Sequence, residues 1–161
     1  MNYTAGRSCM LVEDEVMVGI DLEDALREAG FDVRWVASAQ SALAVLKISS
    51  PDIAVLDVIV RAEPCTSVAH ELRTRGIPFV VHSGFPKKEA MTEFQHAPWV
   101  EKPADVTRIV SALIEALEAA TDRACKTAIT TQSSKSEAWI GDGRVGPDTY
   151  AITRSYSSSV V

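Results

Sequence analysis

Four charged side chains and one hydroxyl are placed where they can share a site: Glu13, Asp14, Asp57, Lys102 and Ser83. Cys9-Met10-Leu11-Val12 runs into Glu13-Asp14, Ile53-Ala54-Val55-Leu56 into Asp57, and Phe79-Val80-Val81-His82 into Ser83, while Lys102 follows Trp99-Val100-Glu101 and precedes Pro103. If these apolar runs are strands of an open parallel sheet, their carboxyl ends form the crevice where such folds bind ligands. Three carboxylates gathered there repel one another by about 3 kcal/mol per pair at ~5 Å and an effective dielectric of ~20, so a cation must share the site. Mg²⁺ suits hard oxygen donors and keeps several waters. Lys102 adds a second positive charge and Ser83 a hydrogen-bond donor. With a carboxylate as acceptor, that set meets the positioning and charge demands of phosphoryl transfer.

Taken singly, each piece has an ordinary structural explanation. An acidic pair after a strand suits a helix N-terminus. Asp57 can be a turn residue, and Ser83-Gly84 a plain turn. The order is what carries weight: acidic pair, single Asp, hydroxyl with Gly, then Lys-Pro, each at the end of a strand-like run.

The elements needed to position them are legible. From Val16 to Ala29, Val18, Leu22, Ala25, Leu26 and Ala29 share a helical face, and Gly30 supplies the stop. Asp32 to Val36 alternates as a second strand, with Val33 and Trp35 on one side. Ser38 is placed to cap a helix bearing Ala39, Ala42, Leu43 and Leu46. A third helix is expected near Thr66 to Arg75, ended by Gly76. Between Phe85 and Pro98 the helical signal is poor, with only Ala90, Met91 and Phe94 able to face a core, so the fourth helix should be short or irregular. Asp105 caps a last helix with Val106, Val110, Leu113, Leu117 and Ala120 in a stripe. Short runs alternating with amphipathic stretches imply an α/β fold, a doubly wound parallel sheet of five strands covered by helices on both faces.

Length and composition agree with one such domain. The chain has 161 residues, net charge −6, 47% hydrophobic and 24% charged residues. An acidic balance argues against direct, sequence-independent DNA binding. Cys9, Cys65 and Cys125 form no metal-type spacing and suggest a reducing, cytoplasmic setting. No leader pattern and no membrane-length apolar run are evident. Residues 1–7 read as an N-terminal extension, 8–122 as the domain, and 123–161 as a flexible Ser/Thr-rich tail, with the composition changing after Ala124. Gly141-Asp142-Gly143-Arg144-Val145-Gly146 matches a dinucleotide fingerprint by letters, but Pro147 follows at once and the strand–helix context is missing.

Leu11-Val12-Glu13-Asp14-Glu15, Leu56-Asp57-Val58 and Glu101-Lys102-Pro103 together resemble the receiver domain of two-component response regulators, from about Ser8 to Ala120. Gly76 to Phe85 further resembles, more loosely, stand-alone alphaproteobacterial receivers with a Phe-Ala-Thr-Gly-aromatic-Tyr motif; here His82 and Ser83 stand for Ala and Thr. The resemblance implies a flavodoxin-like sheet in the strand order 2-1-3-4-5, and that Asp57 accepts a phosphoryl group from a sensor histidine kinase. It implies that Asp14, Asp57 and the Ile59 backbone carbonyl bind Mg²⁺ directly, Glu13 through water, and that Ser83 and Lys102 read the phosphoryl group. Trp99 matches an aromatic that changes rotamer on activation; its plain alternative is a strand-edge core residue. Lys102-Pro103 is expected to be cis. The output would be a downstream protein, with a homodimer as one allowed assembly, no membrane contact, and no catalysis beyond the domain's own phosphorylation and dephosphorylation.

Departures are also visible. Ile59 and Phe85 are apolar where they flank the approach to Asp57, and Val60-Arg61-Ala62-Glu63 lacks a Gly-rich turn. His82 is expected to be packed or hydrogen-bonded, and His70 and His96 to lie on the surface. Two rival classes remain. A haloacid-dehalogenase-type phosphatase needs a second Asp where Ile59 stands, and a partner-binding pseudo-receiver would lack one of the charged residues retained here. No G-x-x-x-x-G-K-[ST] run supports a P-loop.

Overall fold

Strand residues alternate between two apolar faces, and helices cover both. The computed structural model describes residues 4–136. Ser8–Val12 (β1), Asp32–Val36 (β2), Ile53–Leu56 (β3), Phe79–Ser83 (β6) and Trp99–Glu101 (β7) form one sheet, ordered β2-β1-β3-β6-β7 and parallel throughout. Counting only these five, the order is the expected 2-1-3-4-5.

Met10, Val12, Ala54, Leu56, Phe79 and Val81 face one layer, with Ala42, Val45 and Leu46 of Ala39–Ile48 (α2) and Val68, Ala69 and Leu72 of Thr66–Thr74 (α3). Cys9, Leu11, Ile53, Val55 and Val80 face the other. There they meet Leu22 and Leu26 of Val16–Glu28 (α1) and Ile109, Leu113 and Leu117 of Val106–Ser136 (α4). Strands buried on both faces read as continuous apolar runs, which is why the sequence shows little polar alternation in β3 and β6.

Local signals behave as expected where their chemistry is simple. Ser38 Oγ accepts the Ser41 N–H and caps α2. Gly30 follows α1 at φ 97°, the left-handed region that a residue with a Cβ avoids. The segment from Phe85 to Pro98 forms no α-helix, only a 3₁₀ turn at Lys87–Glu89 and successive tight turns. It still buries Ala90, Phe94 and Ala97 against the α2/α3 layer, so it covers the sheet without being regular.

Two features differ from expectation. Ile59–Val60 (β4) and Glu63–Pro64 (β5) pair as an antiparallel hairpin closed by Arg61 and Ala62, at φ 51° and 62°. Hairpin turns with both central residues at positive φ favour Asn-Gly or Gly-Gly, so Arg-Ala gave no turn signal. The last helix also runs on through Ser136, past the expected change at Ala124 and into the segment read as tail. No Gly or Pro interrupts Val106–Ser136, and its Ala, Arg, Lys and Gln are good helix formers. The sheet-bearing unit ends at Lys126. The Gly141–Gly146 decoy lies outside the described residues.

Candidate functional site

All five residues singled out by type and spacing meet at the carboxyl edge of the sheet. β1 delivers Glu13 and Asp14, β3 Asp57, β6 Ser83 and β7 Lys102. The backbone at each exit is tied to its neighbour: Glu13 N donates to Val36 O, Asp57 N to Val12 O, and Lys102 N to Ser83 O. The Lys102-Pro103 peptide is cis.

Asp57 is at the centre. Its Oδ1 accepts from Ser83 Oγ at 2.5 Å and from Ile59 N at 3.4 Å, and its Oδ2 accepts from Lys102 Nζ at 2.7 Å. Lys102 Nζ also donates to Glu13 Oε2 at 2.6 Å, while Glu13 Oε1 accepts the Glu15 N–H at 3.1 Å. Asp14, the most open of the three carboxylates, accepts from Arg61 N at 2.7 Å. One oxygen from each of Glu13, Asp14 and Asp57 lies within 4.8 Å of the others, a spread that one small cation with retained waters spans. The donor set is all hard oxygen, which fits Mg²⁺.

Charge in this edge is finely opposed. Burial raises the Glu13 carboxyl above its ordinary range, against the hydrogen bond and charge of Lys102. Burial draws Lys102 down, but its hydrogen bonds to Asp57 and Glu13, with their charges, outweigh that and hold the ammonium above its usual value. Cys65 lies close enough to feel Asp57 and Asp14, yet burial, reinforced by those charges, pushes its thiol to about 12, so it is inert.

The flanking residues also find places. Trp99 is half-buried against the α2/α3 layer, with Lys87 Nζ 5.9 Å from its ring centroid. Ile59 and Phe85 pack on the same layer, and Phe85 N donates to Ser83 Oγ at 3.1 Å. His82 is 4% exposed, packed as expected, but neither ring nitrogen has a hydrogen-bond partner among the described residues. His70 and His96 are exposed. Two contacts escaped the sequence reading. Arg61 gave no sign because its backbone, not its side chain, meets Asp14. Trp35 was placed on β2 as an apolar residue, yet its Nε1–H donates to Glu13 O at 2.8 Å.

No family model matches the chain. Over 112 residues it is 28% identical to the transcriptional regulatory protein PdtaR of Mycobacterium tuberculosis, an alignment covering 66% of this chain and 55% of that one. The chain thus spans about half the length of that relative. A response regulator receiver protein from Sinorhizobium medicae superposes with a TM-score of 0.66 at 28% identity, covering 71% of this chain and 97% of that one. The receiver domain of a sensor histidine kinase from Pseudomonas aeruginosa, crystallised with a magnesium ion coordinated in its active-site cleft, superposes with a TM-score of 0.62 at 21% identity, covering 71% and 99%. Fold, strand-edge site and relatives agree: the chain has the fold of response-regulator receiver domains and is similar to them in sequence. Among the described residues, no helix is long and apolar enough to cross a membrane.

Proposed function

We propose that the chain is a phosphorylatable switch in which Asp57 takes a phosphoryl group from a phosphohistidine of a sensor histidine kinase. The observation that carries this reading is the convergence of Lys102 and Ser83 on the two oxygens of one carboxylate, Asp57, beside two further carboxylates. An Asp57 oxygen attacks phosphorus, the phosphorus–nitrogen bond of the phosphohistidine breaks, and the imidazole leaves with its electron pair. Glu13, Asp14, Asp57 and the Ile59 carbonyl would hold Mg²⁺, Glu13 through water. The bound ion supplies positive charge that offsets the negative charge of the carboxylates and the transferring group. Lys102 and Ser83, already aimed at Asp57, would turn to the new phosphoryl oxygens. Their shift, passed to β7 and Trp99, would change the surface offered to a downstream protein.

This reading implies a cytoplasmic protein that acts through protein contacts, alone or as a homodimer, without binding DNA itself. The phosphatase alternative is disfavoured because position 59 carries an apolar side chain packed on the core, with no acid or base to serve a leaving group. The pseudo-receiver alternative is disfavoured because every charged member of the site is present and assembled. Incubation with Mg²⁺ and acetyl phosphate, followed by intact mass measurement, tests the proposal. One phosphoryl group should add to the wild type and none to Asp57→Asn. A wild type that never gains the mass overturns it.

A further inference from the structure

We infer that Trp35 is a positioning residue for the metal-binding loop, acting through the Glu13 backbone rather than on any ligand atom. The inference rests on the functional reading above. The parallel ladder of β1 ends at Val12, paired with Val36 on one side and Leu56 on the other. Beyond it, Glu13 N still reaches Val36 O at 3.1 Å, but the Glu13 carbonyl has left the ladder. The Trp35 indole fills that gap with a donor 2.8 Å away. Both backbone groups of Glu13 are therefore held by β2, and a buried carbonyl that would otherwise need a partner has one.

The ring is itself held in place. α1 passes directly over it, and at the point of closest approach the helix carries Gly19. A Cβ built there would lie 2.2 Å from Cζ2 of Trp35 and 2.5 Å from Cε2. A glycine inside a helix lowers its intrinsic stability. Here it lets the helix come down onto the indole. Trp35, Gly19 and Glu13 thus form one arrangement: a helix without a side chain, a ring beneath it, and a carbonyl pinned at the ring's edge.

That carbonyl is the pivot of the loop carrying two of the three carboxylates. Glu13 and Asp14 are consecutive, and their side chains are anchored elsewhere, to Lys102 and Glu15 N for Glu13 and to Arg61 N for Asp14. Release of the carbonyl frees the peptide between them to rotate, which changes the spacing of the carboxylates without removing any. Partners that orient ligands in this way tune metal affinity.

The test is calorimetric titration of Mg²⁺ into full-length protein, wild type against Trp35→Phe and Gly19→Ala. Phe keeps an aromatic face but loses the donor and part of the ring system; Ala keeps the donor and displaces the ring. Both variants should bind Mg²⁺ about threefold to tenfold more weakly, a loss at or below the low end of that for outer partners of metal ligands. Phosphorylation by acetyl phosphate should fall chiefly through a higher Mg²⁺ requirement, its rate at saturating Mg²⁺ changing less than the affinity does, because both changes act through the Glu13 backbone and not directly on Asp57, Ser83 or Lys102. A purely structural role would lower the melting temperature while leaving Mg²⁺ affinity as it was. Wild-type affinity in a folded Trp35→Phe overturns this inference alone. A wild type that binds no Mg²⁺ overturns both it and the functional reading.

Discussion

Lys102 Nζ lies 2.6 Å from Glu13 Oε2, joining two residues that are eighty-nine positions apart in the chain. The same ammonium sits 2.7 Å from Asp57 Oδ2, so one cation bridges the ends of β1 and β3 from β7. Glu13 is nearly fully buried, and a buried carboxylate without a cation is costly. Lys102 therefore holds these strand ends together by charge.

Replacing Lys102 with Met keeps most of the apolar stem and removes the ammonium. The variant should lose about 2–4 kcal/mol of stability in metal-free buffer, somewhat below the cost of breaking a fully buried pair, because Lys102 itself retains some solvent contact. Mg²⁺ should restore part of the loss by answering the same carboxylates. Urea unfolding with and without Mg²⁺ measures both. A deficit unchanged by the ion would show that ion and lysine do not share the same charge.

His82 carries a prediction in pH. Burial, and then the Lys102 charge, depress its imidazole to about 4, with Asp57 pulling weakly the other way. The unfolded imidazole protonates near 6.5, so between 6.5 and 4 the unfolded chain binds more protons than the folded one. Stability from this group is complete above 6.5, falls as pH drops towards 4, and changes no further below. The span is worth at most about 3 kcal/mol. Wild type and His82→Ala, unfolded by urea at several pH values, should differ in slope only within that window. Parallel curves would refute it. Glu13, raised in the fold, acts in the opposite sense in both proteins and cancels from the difference.

The contrast between His82 and Ser83 shows what the sequence made legible. Ser83 was placed by its position at a strand end followed by Gly84, and a short hydroxyl there can do little but face the crevice. Strand alternation puts His82 on the Val80 face, beneath α1 and α4, yet the sequence holds no sign that its nitrogens go unpartnered. The five strands and the meeting of Glu13, Asp14, Asp57, Ser83 and Lys102 at one edge were readable because apolar runs with polar residues at their ends repeat. The Arg61-Ala62 turn and the Trp35 contact were not. Each depends on backbone geometry that residue type alone does not announce, and Arg-Ala lacks the usual turn residues. Likewise, the extension of α4 to Ser136 was hidden by Ser and Thr, which weaken a helix without stopping it.

The hairpin between β4 and β5 holds a correctable strain. Arg61 and Ala62 both sit in the left-handed region, which costs a residue with a Cβ roughly 1 kcal/mol. Ala62→Gly should relieve that cost, less the entropy a glycine adds to the unfolded chain, and raise the melting temperature by about 1–4 °C. Ala62→Val should lower it. Equal midpoints in the three proteins would mean that the turn adapts freely.

The last prediction concerns the lifetime of the phosphorylated state. Ile59 and Phe85 both touch the reacting groups through their backbones: Ile59 N reaches Asp57 Oδ1 and Phe85 N reaches Ser83 Oγ. Their side chains are half-buried and pack on the α2/α3 layer, so the two positions whose backbones meet Asp57 and Ser83 carry apolar side chains with no acceptor to offer. Hydrolysis of an acyl phosphate needs a water oriented for attack on phosphorus, and neither side chain can accept a hydrogen bond from it. Orientation of a nucleophile governs large rate factors, so the phosphoryl group should be lost slowly. Ile59→Asn and Phe85→Glu each place an acceptor at one of those positions, and acyl-phosphate decay in Mg²⁺ should quicken by about tenfold in each, well inside the range that positioning spans. The Asn amide can also hydrogen-bond water without adding charge, which separates orientation from electrostatics. If decay is unchanged or slower in both variants, the two apolar side chains do not guard the phosphoryl group.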